Sequence, residues 1–203
     1  MSILLVRHGE TASNAARVLQ TPDIPLSKRG LEQAERLGIR LAKLGVADIV
    51  SSDYARARMT AERVSRATGA PVAFWPELRE RNFGVLRGRG YADLGFDPFA
   101  PDYAPPEGES WAQFYDRVER AWPRVLARAR RLRGNLAVIT HGLVVRAIAE
   151  RHVGLGGLEP PTMWPNTSLT VVASEPPPSI EVLNCIEHLD DVDLQPNPLL
   201  ARA

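Results

Sequence analysis

Residues 3–9 read ILLVRHG, an apolar, β-rich run that ends in Arg7, His8 and Gly9. The pattern predicts a buried strand that presents a histidine at its carboxyl end. The neighbouring guanidinium stays charged at any working pH, so it attracts anions and repels metal cations. This stretch therefore indicates a phosphate site rather than a zinc site.

The residues after this strand are expected to complete an anion site. Gly9 would let the backbone turn sharply and approach a ligand. A short helix is predicted from about Thr11 to Leu19, and its first N–H groups would point at the same place.

Residues 136–142, LAVITHG, repeat the arrangement and end in His141 and Gly142. A lone histidine is more often a satisfied core residue or a surface residue. Two strands with the same ending favour a shared site, because parallel strands lie about 4.8 Å apart and ligands bind at their carboxyl edge. One anion could then touch both imidazoles.

The rest of the chain alternates strand and helix signals, which predicts an α/β fold. We expect one domain over residues 1–190, a three-layer sandwich whose mostly parallel sheet carries helices on both faces, and a loosely ordered tail over residues 191–203. The segment from Pro76 to Ser110 lacks periodicity and is expected to be a long surface excursion that covers a site. Helices are predicted from about Ser27 to Leu44, Tyr54 to Ala67 and Ser110 to Leu132, and further strands at residues 48–51, 72–74, 168–174 and 180–183.

Composition limits the classes of partner. The chain has 203 residues, 44% of them hydrophobic, and a net charge of +1, so no strong basic field is available for nucleic acid or a membrane surface. No apolar run reaches membrane-spanning length, and no leader precedes the first strand. Cys185 is the only cysteine. These features predict a cytoplasmic protein with a small-molecule substrate, and they leave a homodimer open.

Six ordered motifs resemble the histidine phosphatase superfamily, which includes the cofactor-dependent phosphoglycerate mutases and many small phosphatases. The resemblance implies a phosphoglycerate mutase-like fold, a phosphohistidine intermediate, and neither a metal ion nor a cofactor. The motifs read RHGET at 7–11 with Asn14, PLS at 25–27 with Gly30 and Gln33, SDYARA at 52–57 with Thr60, LRE at 78–80 with NFG at 82–84, GES at 108–110, and THG at 140–142.

Phosphoryl transfer needs a nucleophile and a cradle for the equatorial oxygens. His8 is the candidate nucleophile, attacking phosphorus through a neutral ring nitrogen. Arg7, Arg56 and His141 are expected to neutralise the oxygens, with Asn14 adding an uncharged donor. Arg58 competes with Arg56, but residues two apart do not share a helix face, and the family spacing favours Arg56.

Glu80 is the candidate general acid, for which its pKa must be raised. Glu10 could contact the leaving group or simply favour a helix N-terminus. Thr11 and Gly142 join the predicted substrate-binding set through their positions in the matched motifs.

The loop arginines bear on substrate choice. Family phosphatases often carry Trp-Glu-Gly where this chain has Leu86, Arg87 and Gly88. Arg17 and Arg87 are included among the candidate substrate-binding residues. Together with Arg81 and Arg89, they could bind a second anionic group or remain solvated loop charges.

The leading expectation is a phosphomonoesterase that acts on a small phosphorylated metabolite. A phosphoglycerate mutase-type transfer is the alternative, although mutases of this family generally have longer chains. A third reading is a phospholigand-binding module without turnover, but no expected catalytic residue is missing.

Overall fold

The computed structural model describes residues 1–190, so the predicted loose tail lies outside the described residues. One six-stranded sheet organises this part of the chain, in the order β3-β2-β4-β1-β5-β6. The strands β1 to β4 run parallel, and β5 is antiparallel to both of its neighbours. Their bounds are β1 Ser2–Arg7, β2 Val46–Ser51, β3 Val72–Phe74, β4 Asn135–Thr140, β5 Leu169–Ala173 and β6 Ser179–Cys185.

Helices cover both faces of the sheet, which confirms the predicted three-layer α/β sandwich. The bounds are α1 Ala12–Ala15, α2 Lys28–Lys43, α3 Ala55–Thr68, α4 Trp111–Ala129 and α5 Gly142–Ala147, which continues as a π-helical turn over Ile148–Val153. The pair α2 and α3 packs on one face, and α4 and α5 pack on the other.

The central strands divide their side chains between two cores. In β1, Ile3 and Leu5 join the core under α4, whereas Leu4 and Val6 join the core under α2 and α3. All four side chains are buried. This two-residue alternation is what a strand covered on both faces requires. The sheet is therefore buried between two helical layers.

The prediction for the first helix was wrong in length. Instead of running to Leu19, α1 ends at Ala15, and Arg17 adopts a positive φ of 54°. Val18 then forms an isolated bridge with Gly90, and Leu19 donates its N–H to the carbonyl of Arg89. Contact with a distant loop therefore overrides the local helical signal.

Two arginines at the end of α4 contact other parts of the fold. Arg128 lies within the helix and forms an ion pair with the buried Asp48 at 2.6 Å. Arg130 lies near the carbonyl of Ser174. The helix also stops at Ala129, three residues before the predicted Leu132.

The long excursion between Pro76 and Ser110 folds over the carboxyl edge of the sheet, as expected for a covering loop. It contains three short 3₁₀ turns, Pro76–Leu78, Gly84–Leu86 and Tyr91–Asp93. Phe83, Leu86 and Leu94 pack with Leu19 into a small core of their own.

Between residues 1 and 190 no helix combines the length and the hydropathy that crossing a membrane requires.

Candidate active site

The two histidines predicted to converge lie side by side. Arg7 of β1 is in register with Thr140 of β4, and the N–H of His8 donates to the carbonyl of Thr140 at 2.9 Å. The rings of His8 and His141 are 5.1 Å apart, centroid to centroid. Two adjacent parallel strands therefore bring both imidazoles to one edge of the sheet.

The hydrogen bonds of His8 determine its tautomer. Nδ1 lies 2.7 Å from the carbonyl oxygen of Gly9, which can only accept, so Nδ1 carries the proton. Nε2 then has the free lone pair, and it accepts from Nε of Arg56 at 3.3 Å. The ring is thus oriented with its nucleophilic nitrogen towards a cation.

The environment of His8 keeps its imidazole neutral. Burial lowers its pKa well below the usual value, and the charges of Arg56 and Arg7 lower it further. A neutral ring retains the lone pair that a nucleophile needs.

His141 is oriented by Ser52, a buried residue that follows β2. Ser52 Oγ accepts from the N–H of Tyr54 at 3.3 Å and lies 2.8 Å from Nε2 of His141. Because Oγ already accepts from Tyr54, its hydroxyl proton is directed to Nε2 of His141. Nδ1 then carries the ring proton. Nδ1 is buried and has no partner within residues 1–190, so it remains available to a ligand oxygen. Burial, followed by the charge of Arg56, lowers the pKa of His141 well below its usual value.

Arg7 and Arg56 supply the positive charge beside the histidines. Arg56 is fully buried and donates to the carbonyl of Thr21 as well as to His8. Arg7 donates through one terminal nitrogen to the carbonyl of Trp164, and its buried Nε has no partner in the described chain. Burial lowers the pKa of Arg56 to about 10, which leaves it charged at neutral pH.

Asn14 lies in the same cleft with its amide group oriented by its neighbours. Its Oδ1 accepts from the N–H of Thr11 and from the amide of Asn166. These bonds occupy the amide oxygen of Asn14 and leave its amide nitrogen, which can only donate, for a ligand. Asn14 therefore offers an uncharged donor in the cleft, and its role towards a substrate stays a prediction.

Glu80 lines the cleft and is half-buried. Burial raises its pKa, although the N–H groups of Arg81 and Leu143 donate to its two oxygens and the charges of Arg56 and Arg7 act in the opposite direction. A carboxyl group in this setting can hold a proton at higher pH than a solvated one.

An ion pair behind Glu80 fixes the backbone that carries it. Arg117 of α4 binds Glu109 through two nitrogens at 2.7 Å. Arg117 also donates to the carbonyls of Glu77 and Arg79, and Glu109 accepts from the N–H of Asn82. The segment on both sides of Glu80 is therefore tied to α4.

Some predicted binding residues lie outside the cleft lining. The carboxylate of Glu10 accepts from the hydroxyl of Ser27 at 2.9 Å and lies 3.7 Å from Arg29. Thr11 is buried as the N-cap of α1 and donates to Gln20. Arg17 is exposed, and Gly142 packs against the side chain of Arg7.

Gly9 differs from the expectation in its physical role. A Cβ at this position would lie 2.5 Å from the carbonyl oxygen of Gly30. The small residue therefore allows the start of α2 to approach the histidine loop closely, whereas the prediction assigned it to approach by a ligand.

The cleft encloses about 510 Å³ of empty space, part of it open to solvent. Its lining includes Arg87, which the sequence had indicated as a candidate substrate-binding residue. It also includes three aromatic residues that had not been predicted for the site, Tyr54, Phe83 and Phe99. Tyr54 stands within the motif that carries Arg56, which was the available signal for it. The aromatic residues of the excursion had no periodicity that could place them here. The full lining comprises Arg7, His8, Asn14, Val18, Leu19, Gln20, Tyr54, Arg56, Glu80, Arg81, Phe83, Arg87, Tyr91, Phe99 and Leu143.

The arrangement combines a neutral nucleophilic imidazole, two buried guanidinium groups and a carboxyl group of raised pKa. Such a set can form a bond to an electrophilic phosphorus, neutralise its oxygens and protonate a leaving group.

Comparisons with known proteins agree with this chemistry. The "Probable phosphoglycerate mutase GpmB" of Erwinia tasmaniensis is 30% identical over 211 residues, which cover 96% of this chain and 97% of that protein. The structure of a mycobacterial glucosyl-3-phosphoglycerate phosphatase complexed with VO3 is 25% identical with a TM-score of 0.78, and the match covers 91% of this chain and 99% of that one. The α-ribazole phosphatase of Shigella flexneri is 27% identical with a TM-score of 0.77, covering 92% and 97%.

The sequence profile of the histidine phosphatase superfamily (branch 1) matches residues 3–184, nearly the whole described chain. The protein belongs to the histidine phosphatase superfamily.

Proposed function

We propose that the protein is a phosphomonoesterase that hydrolyses a small phosphorylated metabolite through a phosphohistidine on His8, without a metal ion. The tautomer of His8 carries this proposal. Its Nδ1 proton is held by the carbonyl of Gly9, so a neutral Nε2 is left beside Arg56.

In the first step, Nε2 of His8 attacks phosphorus and the bond from phosphorus to the leaving oxygen breaks. Glu80 gives its proton to that oxygen, and Arg7 and Arg56 stabilise the charge on the equatorial oxygens. Nδ1–H of His141 and the amide of Asn14 are the uncharged donors to the same oxygens.

In the second step, water attacks the phosphohistidine. Glu80, now a carboxylate, takes a proton from the water, the phosphorus–nitrogen bond breaks, and inorganic phosphate leaves. His8 returns to its neutral form and Glu80 to its protonated form, so the cycle closes without another reactant.

A phosphoglycerate mutase reaction is the second candidate, because relatives of 30–35% identity carry that name. A mutase would return the phosphoryl group to a different oxygen of the substrate rather than to water. The first step is the same for both reactions, and only the acceptor in the second step differs.

The deciding experiment is a panel of phosphorylated metabolites in which released phosphate and isomerised product are measured together. We expect net phosphate release, and loss of turnover by several orders of magnitude in His8→Ala because the covalent nucleophile is removed. Isomerised product without phosphate release would identify the mutase reaction. Retained turnover in His8→Ala would overturn the role of His8.

The proposal also places the activity in the cytoplasm. The single cysteine, Cys185, is compatible with a reducing compartment.

A further inference from the structure

We infer that Arg87 and Tyr54 form a second anion-binding position in the cleft, so that the preferred substrate is a phosphomonoester with an additional acidic group, a carboxylate or a second phosphate. This inference rests on the proposed function and names the class of substrate that the same site takes.

Arg87 combines a cleft-lining position with unused donors. It is half-buried, and one terminal nitrogen donates to the phenol oxygen of Tyr54 at 2.9 Å. Within residues 1–190 the guanidinium has no carboxylate partner. A guanidinium carries five N–H donors, so most of those of Arg87 remain for a ligand.

Tyr54 adds a donor at the same point. Its phenol oxygen accepts from Arg87, so the phenol proton is free to be donated to a ligand oxygen. The two side chains together offer the charge and the directed hydrogen bonds that anion recognition needs.

The other arginines of the region are committed elsewhere. Arg81 is buried and donates to the carbonyls of Glu109, Pro98 and Tyr103, so it holds the covering loop in place. Arg89 is exposed and donates to the carbonyl of Asp93. Arg17, also exposed, lies over the ring of Tyr91.

The spacing suits one compact substrate. Cζ of Arg56 lies 5.2 Å from the centroid of the Tyr54 ring, and Cζ of Arg87 lies 6.0 Å from the same centroid. The ring centroid of His141 is 5.4 Å from that of Tyr54. A single tyrosine therefore separates the phosphoryl-binding cations from Arg87, and one small molecule can reach both.

The charge of the cleft also exceeds what one phosphoryl group needs. Among residues 1–190, the arginines that line it are Arg7, Arg56, Arg81 and Arg87, and Glu80 is the only acidic residue in the lining. Arg7 and Arg56 can neutralise a phosphoryl dianion, and Glu80 must be protonated for the first step. Arg81 and Arg87 then remain. The donors of Arg81 hold the covering loop, and a second anion at Arg87 balances the cation whose donors are still unused.

Matched pairs of substrates test the inference. In the first pair, 3-phosphoglycerate and glycerol 3-phosphate differ by a carboxylate against a hydroxymethyl group. In the second, propanediol bisphosphate and propanediol monophosphate differ by one phosphate. We expect kcat/KM to favour the acidic member of at least one pair by about tenfold or more, the size of a charge-assisted hydrogen bond. The pair that shows the preference identifies the acid.

Three variants assign that preference to Arg87. Arg87→Gln should remove it, and Arg87→Glu should reverse it in favour of the neutral member. Tyr54→Phe, which keeps the ring beside His141, should reduce it. Arg89→Gln is the matched control and should leave the preference unchanged. Thermal unfolding of each variant checks that the fold is intact.

The outcomes separate this inference from the proposed function. Equal kcat/KM within both pairs, in an enzyme that hydrolyses p-nitrophenyl phosphate, would overturn the second anion position and leave the phosphatase proposal standing. If no phosphomonoester is hydrolysed, the proposed function fails. Calorimetric titration of the same pairs into the wild type and Arg87→Gln then decides the inference. The wild type should bind the acidic member of a pair more tightly than the neutral member, and Arg87→Gln should bind both members equally. Equal binding of both members by the wild type would overturn the inference.

Discussion

At the scale of single residues, burial and hydrogen bonding decide which protonation state each catalytic candidate adopts. His8 is neutral because it is buried beside two arginines, and its reactive nitrogen is set by the carbonyl of Gly9. The strand endings alone predicted that His8 and His141, with Arg7 beside them, would lie together at one edge of the sheet, and the structure places them there. It could not predict the role of Ser52, since that hydroxyl meets His141 only after two distant strands pair.

Glu80 gives a prediction about pH dependence. The raised pKa of Glu80 keeps its general-acid form to higher pH than a solvated carboxyl, and activity falls as pH rises through that pKa. The lowered pKa of His8 preserves its neutral form on the acid side, and activity falls as pH drops through that pKa. The pH profile of kcat/KM should therefore fall on both sides.

Replacement of Glu80 tests this assignment. With an alkyl phosphate, Glu80→Gln should lower kcat/KM, which reports the steps up to loss of the leaving group, by about 10²–10⁴-fold and remove the alkaline limb of the profile, because the leaving alkoxide no longer receives a proton. With p-nitrophenyl phosphate the loss should be smaller, since that leaving group departs readily as an anion. An equal loss for both substrates, or an unchanged alkaline limb, would contradict the role of Glu80 as general acid.

At the scale of elements, sequence periodicity predicted the main strands and helices. It failed where a contact with a distant segment determines the local structure. The strand over Val72–Phe74 and helix α2 have nearly the predicted bounds, because burial on a defined face leaves a clear pattern. The short helix α1 stops early since Val18 and Leu19 join the loop around Gly90. No local sequence pattern predicts such a bridge.

Helix α3 shows how a separation of two residues places one arginine in the site and the other on a different helix face. Arg56 is buried against His8, whereas Arg58 is half-buried with its guanidinium 3.9 Å from the ring centroid of Phe74. Arg56→Ala should lower kcat/KM by about 10²–10³-fold, as does the loss of one transition-state donor. Arg58→Ala should change kcat/KM by only a few-fold and cost about 0.5–1 kcal/mol of stability through the lost cation–π contact.

Steady-state kinetics and thermal unfolding of the two variants check the helix assignment. A greater loss of activity in Arg58→Ala than in Arg56→Ala would show that the other face of α3 serves the site.

At the scale of the whole molecule, function depends on bringing distant parts of the chain to one edge of the sheet. The pairing of β1 with β4 joins the two histidines, α3 adds Arg56, and the excursion between Pro76 and Ser110 adds Glu80 and the covering wall. The parallel α/β architecture was predictable from alternating strand and helix signals. The packing of the excursion was not, because its aromatic residues follow no repeat that assigns them a face.

The nature of the phosphoryl intermediate tests the central claim most directly. Rapid acid-free quenching of the enzyme during turnover of a radiolabelled phosphomonoester, followed by peptide mapping, should show an acid-labile phosphoryl group on His8 that forms and decays at least as fast as kcat. The adduct should be absent from His8→Ala. Turnover without an adduct on His8, or with the phosphoryl group on His141, would contradict the account.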